Sequence, residues 1–231
     1  ANDNALGAAL ALFGADHLKI KTVAIIDDRT AYGQGVASVF KATALQKGVK
    51  VVAEEFTSDK ATEFMAILTS IKNKKPDAIF YGGLDAQAGP MLRQMEQLGL
   101  SGVKYFGGDA LCTEKLPELA SKTQALKNVT CATGGASVDK MQGGADWKKR
   151  YDAKFPGQFQ IYSPYAYDAT MVLADAMKRA NSVDPKVFNA FISKTDYKGV
   201  TANIAFTSKG ELTTPAVTLY TYKDGHRVAL N

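Results

Sequence analysis

The most restrictive feature of this sequence is a unit that recurs along its first 135 residues: an apolar, β-rich run, a glycine-containing loop, then an amphipathic helical segment. That alternation is the βαβ signature of a parallel sheet, because parallel strands need a crossover long enough to hold a helix. The strand runs are TVAIID (22–27), KVVAEEF (50–56), DAIFYG (77–82), VKYFGG (103–108) and NVTCAT (128–133). Helical periodicity fills the intervals, with Val36, Val39, Phe40 and Ala44 on one face, then Phe64, Ile67, Leu68 and Ile71, then Met91, Leu92, Met95 and Leu98. These stripes, methionines included, read as core rather than as a cofactor box. Gly48 and Gly99 stand where helices should end. The expected fold class is α/β, with a Rossmann-like parallel sheet.

The pattern changes after residue 135, where GGASVDKMQGGADWKKRYDAKFPGQFQ carries several glycines and no comparable strand run. This reads as a crossing into another structural region. Ser163-Pro164 supplies an N-cap and first-turn pair for a helix through about Arg179, and Asp184-Pro185 does the same for one through about Ser193. Thr201 to Phe206 resumes β character. AVTLYTYKDGHRVAL then sets Val217, Leu219 and Thr221 on one strand face and Tyr220 and Tyr222 on the other, before a hairpin turn at Asp224-Gly225.

Bulk properties exclude several functions. No stretch reaches the roughly 20 apolar residues that a membrane-spanning helix needs. The opening ANDNALGAALALFGADHLK shows neither the basic n-region nor the cleavage pattern of a signal peptide, so it neither shows nor excludes export. The formal charge is +5, but the lysines are scattered and read as a solvated surface, with no basic, aromatic-interleaved nucleic-acid motif. His17 and His226 are far apart with no third ligand in view, so no metal site is expected. Cys112 and Cys131 lack CxxC spacing. They are either a disulfide, worth roughly 3 kcal/mol by chain entropy, or two buried thiols.

The loop in AIIDDRTAYGQGVASVF invites a nucleotide-binding reading that fails on spacing. A dinucleotide fingerprint sets its first glycine directly after the strand and continues GxGxxG, whereas here DDRTA intervenes and Ser38 follows Gly33 and Gly35. No GxxxxGK[ST] and no GxSxG is present, and the two histidines support no triad, so no cofactor is expected. In an open α/β sheet the ligand lies beyond the carboxyl ends of the strands. The residues there are Asp27, Asp28 and Tyr32, then Gly83, Leu84 and Asp85, then Asp109 and Ala110. Carboxylates beside an aromatic ring and apolar groups suit an ammonium group next to a hydrocarbon chain. Recognition without catalysis is the reading these residues favour, with Asp27, Asp28 and Asp85 serving as loop caps or solvated groups.

The stretches AIIDDRTAYGQG, IFYGGLDAQAGPMLRQM, VKYFGGDAL, IYSPYAYDATMVLADAMKRA and PAVTLYTYKDG, in this order and spacing, resemble the periplasmic branched-chain amino-acid-binding proteins. These are type I solute-binding proteins that deliver small apolar amino acids to the membrane subunits of ABC importers. The resemblance implies two α/β lobes that close on the ligand. One lobe would hold residues 6–133 and 217–231 and the other residues 136–216, with hinge crossings near 1–5, 134–136 and 214–217. It implies a periplasmic location and a ligand site of Tyr32 packing over the amino acid, Asp109 taking its ammonium, Ala110 lining the same wall, and Tyr162 from the opposite lobe. Leu84 stands where several members carry a tyrosine, which changes side-chain selectivity.

The family's first strands and helices, which hold the ligand carboxylate, come ahead of the segment that this sequence matches. The expectation is therefore one nearly whole lobe and the mostly helical remainder of the other. That remainder should expose apolar faces at Trp147, Tyr151, Met171, Val172 and Met177, and so fold back, become partly disordered or form a homodimer. Binding should weaken or be lost. A ligand-sensing domain on the same fold and a small enzyme using the strand-end carboxylates remain as alternatives.

Overall fold

The protein is described by a computed structural model over residues 1–230; Asn231, at the end of the expected 217–231 range, lies outside the described residues. The chain divides into two compact units, one of Asn2–Gly134 with the segment from Val217, the other of Gly135–Ala216 with Ala1. In chain order the first unit contains α1 (Asp3–Asp16), β1 (Thr22–Asp27), α2 (Ala31–Gln46), β2 (Lys50–Phe56), α3 (Met65–Lys74), β3 (Ala78–Gly82), α4 (Asp85–Gln97), β4 (Lys104–Gly107), α5 (Leu116–Leu119) and β5 (Val129–Gly134). The second unit contributes α6 (Gly144–Lys154), α7 (Ser163–Ala180), α8 (Pro185–Ile192), β6 (Asp196–Lys198) and β7 (Asn203–Ala205). Then β8 (Val217–Lys223) and β9 (His226–Ala229) return to the first.

The first unit is built on a seven-stranded sheet of order β2-β1-β3-β4-β5-β8-β9, parallel from β2 to β5 and antiparallel at β8 and β9. All of β3 and the inner residues of β1 are buried, which is why they read as continuous apolar runs: helices cover both faces. Alternation divides the strand residues between two cores. Ala24, Ile26, Ile79, Tyr81 and Tyr105 pack with Leu68, Ile71, Met91 and Met95 of α3 and α4. Val23, Ile25, Phe80 and Phe106 pack with Leu6, Leu10, Val36 and Phe40 of α1 and α2.

Helix α1 is absent from the βαβ pattern because it precedes the first strand. Asn2 caps it, accepting the Ala5 N–H at 3.2 Å, and Gly7 lets it close on α2, since a Cβ there would stand 2.9 Å from the Val36 carbonyl oxygen. The β8–β9 hairpin turns at Asp224 (φ 51°) and Gly225 (φ 78°), the two positive angles of a type I′ turn. Val217 and Leu219 pack toward α1, while Tyr220 and Tyr222 enter the α3/α4 core.

Cys112 and Cys131 form a disulfide with Cα atoms 5.4 Å apart, both side chains fully buried. It ties the loop after β4 to β5.

In the second unit, Asp184 caps α8 by accepting the Lys186 N–H at 2.9 Å. For α7 the cap is shifted: Tyr162 is the N-cap and Ser163 the first helical residue. The β run at 201–206 narrows to β7, paired with β6, a strand too short to show periodicity. Trp147 and Val172 are each only 4% exposed, contrary to the expected bare face. Trp147 stacks on Tyr151 at 4.9 Å and tilts against Tyr167 at 5.8 Å, so aromatic contacts from α6 and α7 cover it. The exposed large apolar residues of this unit include Phe155, Tyr162, Tyr167, Leu173 and Val183, none of them among the expected five.

Asp168 organises this unit. Buried on α7, it accepts the backbone N–H groups of Val200 (2.9 Å) and Thr201 (2.7 Å) and the Thr201 hydroxyl (2.6 Å), pinning the β6–β7 connection.

Replacing both cysteines by alanine should lower unfolding free energy by roughly 3 kcal/mol in a denaturant titration, the chain-entropy value for a loop of this size. Asp168→Ala strands partly buried donors of the β6–β7 connection and should cost about 2–4 kcal/mol, read as a lower denaturation midpoint, with Asp168→Asn costing less.

Candidate functional site

The loops after β1, β3 and β4 meet beyond the carboxyl edge of the sheet. Helix α2 starts there because Thr30 caps it: Thr30 Oγ1 accepts the Gly33 N–H at 2.9 Å. Asp28 in turn accepts the Thr30 N–H at 2.9 Å and the Thr30 hydroxyl at 2.6 Å, while Asp27 accepts the Arg29 N–H at 2.9 Å. Arg29 is held at φ 63°, a left-handed conformation that its side chain offsets by stacking on Phe56 at 4.0 Å. The tight turn aims Tyr32, in the first turn of α2, across the edge.

Tyr32 donates its hydroxyl proton to Asp109 Oδ1 at 2.9 Å and accepts the Ala110 N–H at 3.2 Å. Three of the five expected site residues are thus one hydrogen-bonded group. Asp109 opens a 3-10 turn, Asp109–Leu111, held by the Cys112 N–H on the Asp109 carbonyl at 3.0 Å and by the disulfide at Cys112. Gly108 permits the approach, because a Cβ there would lie 2.5 Å from the Tyr32 hydroxyl. Partial burial, and next the Asp109 charge, push the Tyr32 pKa far up, so it remains a neutral donor.

Leu84 is the N-cap residue of α4 on the same carboxyl edge, 40% exposed. Beside it, Asp85 accepts the Thr113 hydroxyl at 2.6 Å, which joins the β3 and β4 loops. Asp27, Asp28 and Asp85 therefore act as acceptors for loop donors. Tyr162 stands at the start of α7 in the second unit, 48% exposed.

Asp3, on the first turn of α1, is a neighbour that the reading of strand ends passed over. Partial burial, then the charge of Asp109, raise its pKa, and its own charge reaches Tyr32. Asp3 lies on α1, ahead of β1 and away from the described strand ends, so the rule that points to strand ends has no purchase on it. The position offers two acidic side chains, a phenol and an exposed aliphatic group.

A family model described as periplasmic binding protein matches residues 1–227. Leu/Ile/Val-binding protein homolog 1 of Brucella suis biovar 1 is 30% identical over 225 residues, 96% of this chain and 59% of that protein. The leucine-, isoleucine-, valine-, threonine- and alanine-binding protein of Pseudomonas aeruginosa is 26% identical, covering 97% of this chain and 60% of that one. Among solved structures, a leucine binding protein from Thermotoga maritima superposes with TM-score 0.89 at 26% identity, over 99% of this chain and 65% of that one. A branched-chain amino acid transporter substrate binding protein from Streptococcus pneumoniae, in complex with isoleucine, gives 0.83 at 22% identity, over 99% and 66%. The chain spans about three fifths of the length of these relatives (59% and 60%). With a family model matching nearly its whole length and a mostly parallel α/β sheet, the chain belongs to the periplasmic binding protein family, with the type I fold.

Proposed function

We propose that this chain binds the ammonium end of a branched-chain or other small apolar amino acid and serves an ABC importer. The observation that carries the reading is the Tyr32–Asp109–Ala110 group at the carboxyl edge of the sheet. A carboxylate offers about four acceptor positions, and the Tyr32 hydroxyl occupies one of those of Asp109, which fixes the orientation of the carboxylate. An α-ammonium there makes a charge-assisted hydrogen bond worth roughly 1.5–3 kcal/mol. The Asp3 charge adds to the negative potential, while Ala110 and Leu84 present apolar surface for a hydrocarbon side chain. Nothing in this group is arranged to break a bond, which favours recognition over catalysis.

The unit of Asn2–Gly134 with the hairpin then corresponds to one lobe of a type I binding protein, and Gly135–Ala216 to part of the other, carrying Tyr162. The ligand carboxylate is assigned to the share of the family fold beyond these residues. The proposal places the protein in the periplasm, with the importer's membrane subunits as partners. Among the described residues no helix is long and apolar enough to cross a membrane, which is compatible with that location.

Calorimetric titration with leucine, isoleucine, valine and alanine tests the reading. Asp109→Ala should weaken binding by about 10- to 150-fold, the equivalent of one charge-assisted bond, without an equal loss of thermal stability. Tyr32→Phe, which removes one hydrogen bond from Asp109, should weaken it less. Unchanged affinity in Asp109→Ala, or turnover of an amino-acid derivative, would refute the proposal.

The raised pKa of Asp3 supplies a second check. An arriving ammonium stabilises the Asp3 carboxylate and lowers that pKa, so at a pH between its free and bound values binding should release protons. Titrations in buffers of different ionisation enthalpy should show this release in the wild type and lose it in Asp3→Asn.

A further inference from the structure

Six buried side-chain oxygens lack a hydrogen-bond partner among the described residues, and three of them stand at or just beyond the ends of the paired strands β1 and β3. They are Asp28 Oδ2, Tyr81 Oη and Gln87 Oε1, from the end of β1, from β3 and from the first turn of α4. Asp28 is 2% exposed, Gln87 8% and Tyr81 fully buried. Tyr81 pairs in register with Ile26, two residues before Asp28, and the ladder runs on past the strand end with the Asp28 N–H on the Gly82 carbonyl at 3.0 Å. Gln87 is anchored by its Nε2 on the Asp59 carbonyl at 2.6 Å. The charges of Asp28 and Asp59 both act on the Tyr81 hydroxyl and, after burial, raise its pKa. The Leu84 amide also acts on that oxygen without reaching hydrogen-bond geometry.

Backbone closes over these groups. A Cβ on Gly33 would stand 2.2 Å from Asp28 Oδ1, and one on Gly83 would stand 2.2 Å from the Tyr81 hydroxyl. No side chain can enter from those positions to satisfy the oxygens. Two of the three are acceptors only and cannot satisfy each other, while the third carries a proton. A water molecule has the complementary set: it donates to Asp28 Oδ2 and Gln87 Oε1 and accepts from Tyr81. A cation is the poorer match, because the Asp28 charge already faces the Thr30 N–H and hydroxyl at the amino end of α2 and a protonated phenol is a weak metal ligand.

We propose that Asp28, Tyr81 and Gln87 hold one buried water molecule that ties the loop carrying Tyr32 to the loop carrying Leu84. Asp28 is then a positioning residue: one carboxylate oxygen fixes Thr30, whose hydroxyl caps Gly33 beside Tyr32, and the other reaches the α4 loop through the water. The effect on ligand affinity rests on the amino-acid reading above; the water site does not.

A crystal structure of the wild-type protein should show one ordered solvent peak about 2.5–3.0 Å from all three oxygens. No peak, direct contact among the three side chains, or a sodium-dependent rise in Tm against choline would overturn the water. Tyr81→Phe and Gln87→Met should each lower Tm by about 2–4 °C, and the double variant by little more than the worse single one, since all lose the same water. Fully additive losses count against the proposal. Tyr81→Phe should also weaken leucine binding several-fold, and unchanged affinity would overturn the positioning role. If the wild type binds no amino acid, the functional reading fails, while the solvent peak and the Tm series still decide the water site.

Discussion

The burial of β1 and β3 between two helical layers is the constraint on which the rest depends. Their side chains alternate between the α1/α2 core and the α3/α4 core, so a one-residue slip in register would exchange the two cores and expose every matched contact. With register held, the strands must end at the same level. Tyr32, Leu84 and Asp109 then arrive at one edge although 77 residues separate the first from the last.

Close approach of backbone turns that shared edge into a site. Gly33 meets the Gly82 carbonyl, Gly108 meets the Tyr32 hydroxyl, and Gly7 meets α2, in each case at a distance that leaves no room for a Cβ without movement. The glycines matter here for their missing side chain, since none of the three has a positive φ. Polar groups complete the arrangement by tying loop to loop: Asp28 to Thr30, Asp85 to Thr113, Tyr32 to Asp109. The disulfide holds the turn that carries Asp109 against β5. Preorganisation of this kind reduces the ordering cost when a ligand binds.

The second unit follows a different logic. Its helices rely on aromatic stacking around Trp147 and on the buried carboxylate of Asp168 rather than on a large sheet. This is why Trp147 and Val172, read as bare from the sequence, are covered.

Strand and helix order were legible because hydrophobic period is local: TVAIID and KVVAEEF coincide with β1 and β2, and the Asp224-Gly225 turn with the β8–β9 hairpin. The rule that ligands lie beyond strand carboxyl ends likewise marked Tyr32, Asp109 and Ala110 as neighbours before any contact was known. Other features had no local signature. Helix α1 lies outside the βαβ repeat, β6 is three residues long, and Asp3 sits on α1 rather than at a described strand end. The sequence by itself determined the α/β class, the order of elements and the chemistry available at the strand ends, since these depend on side-chain pattern and turn residues. Only the tertiary structure decided that Cys112 meets Cys131, that Asp3 shares the field of Asp109, and that Asp28, Tyr81 and Gln87 turn unsatisfied oxygens inward, because each depends on distances between residues far apart in the chain.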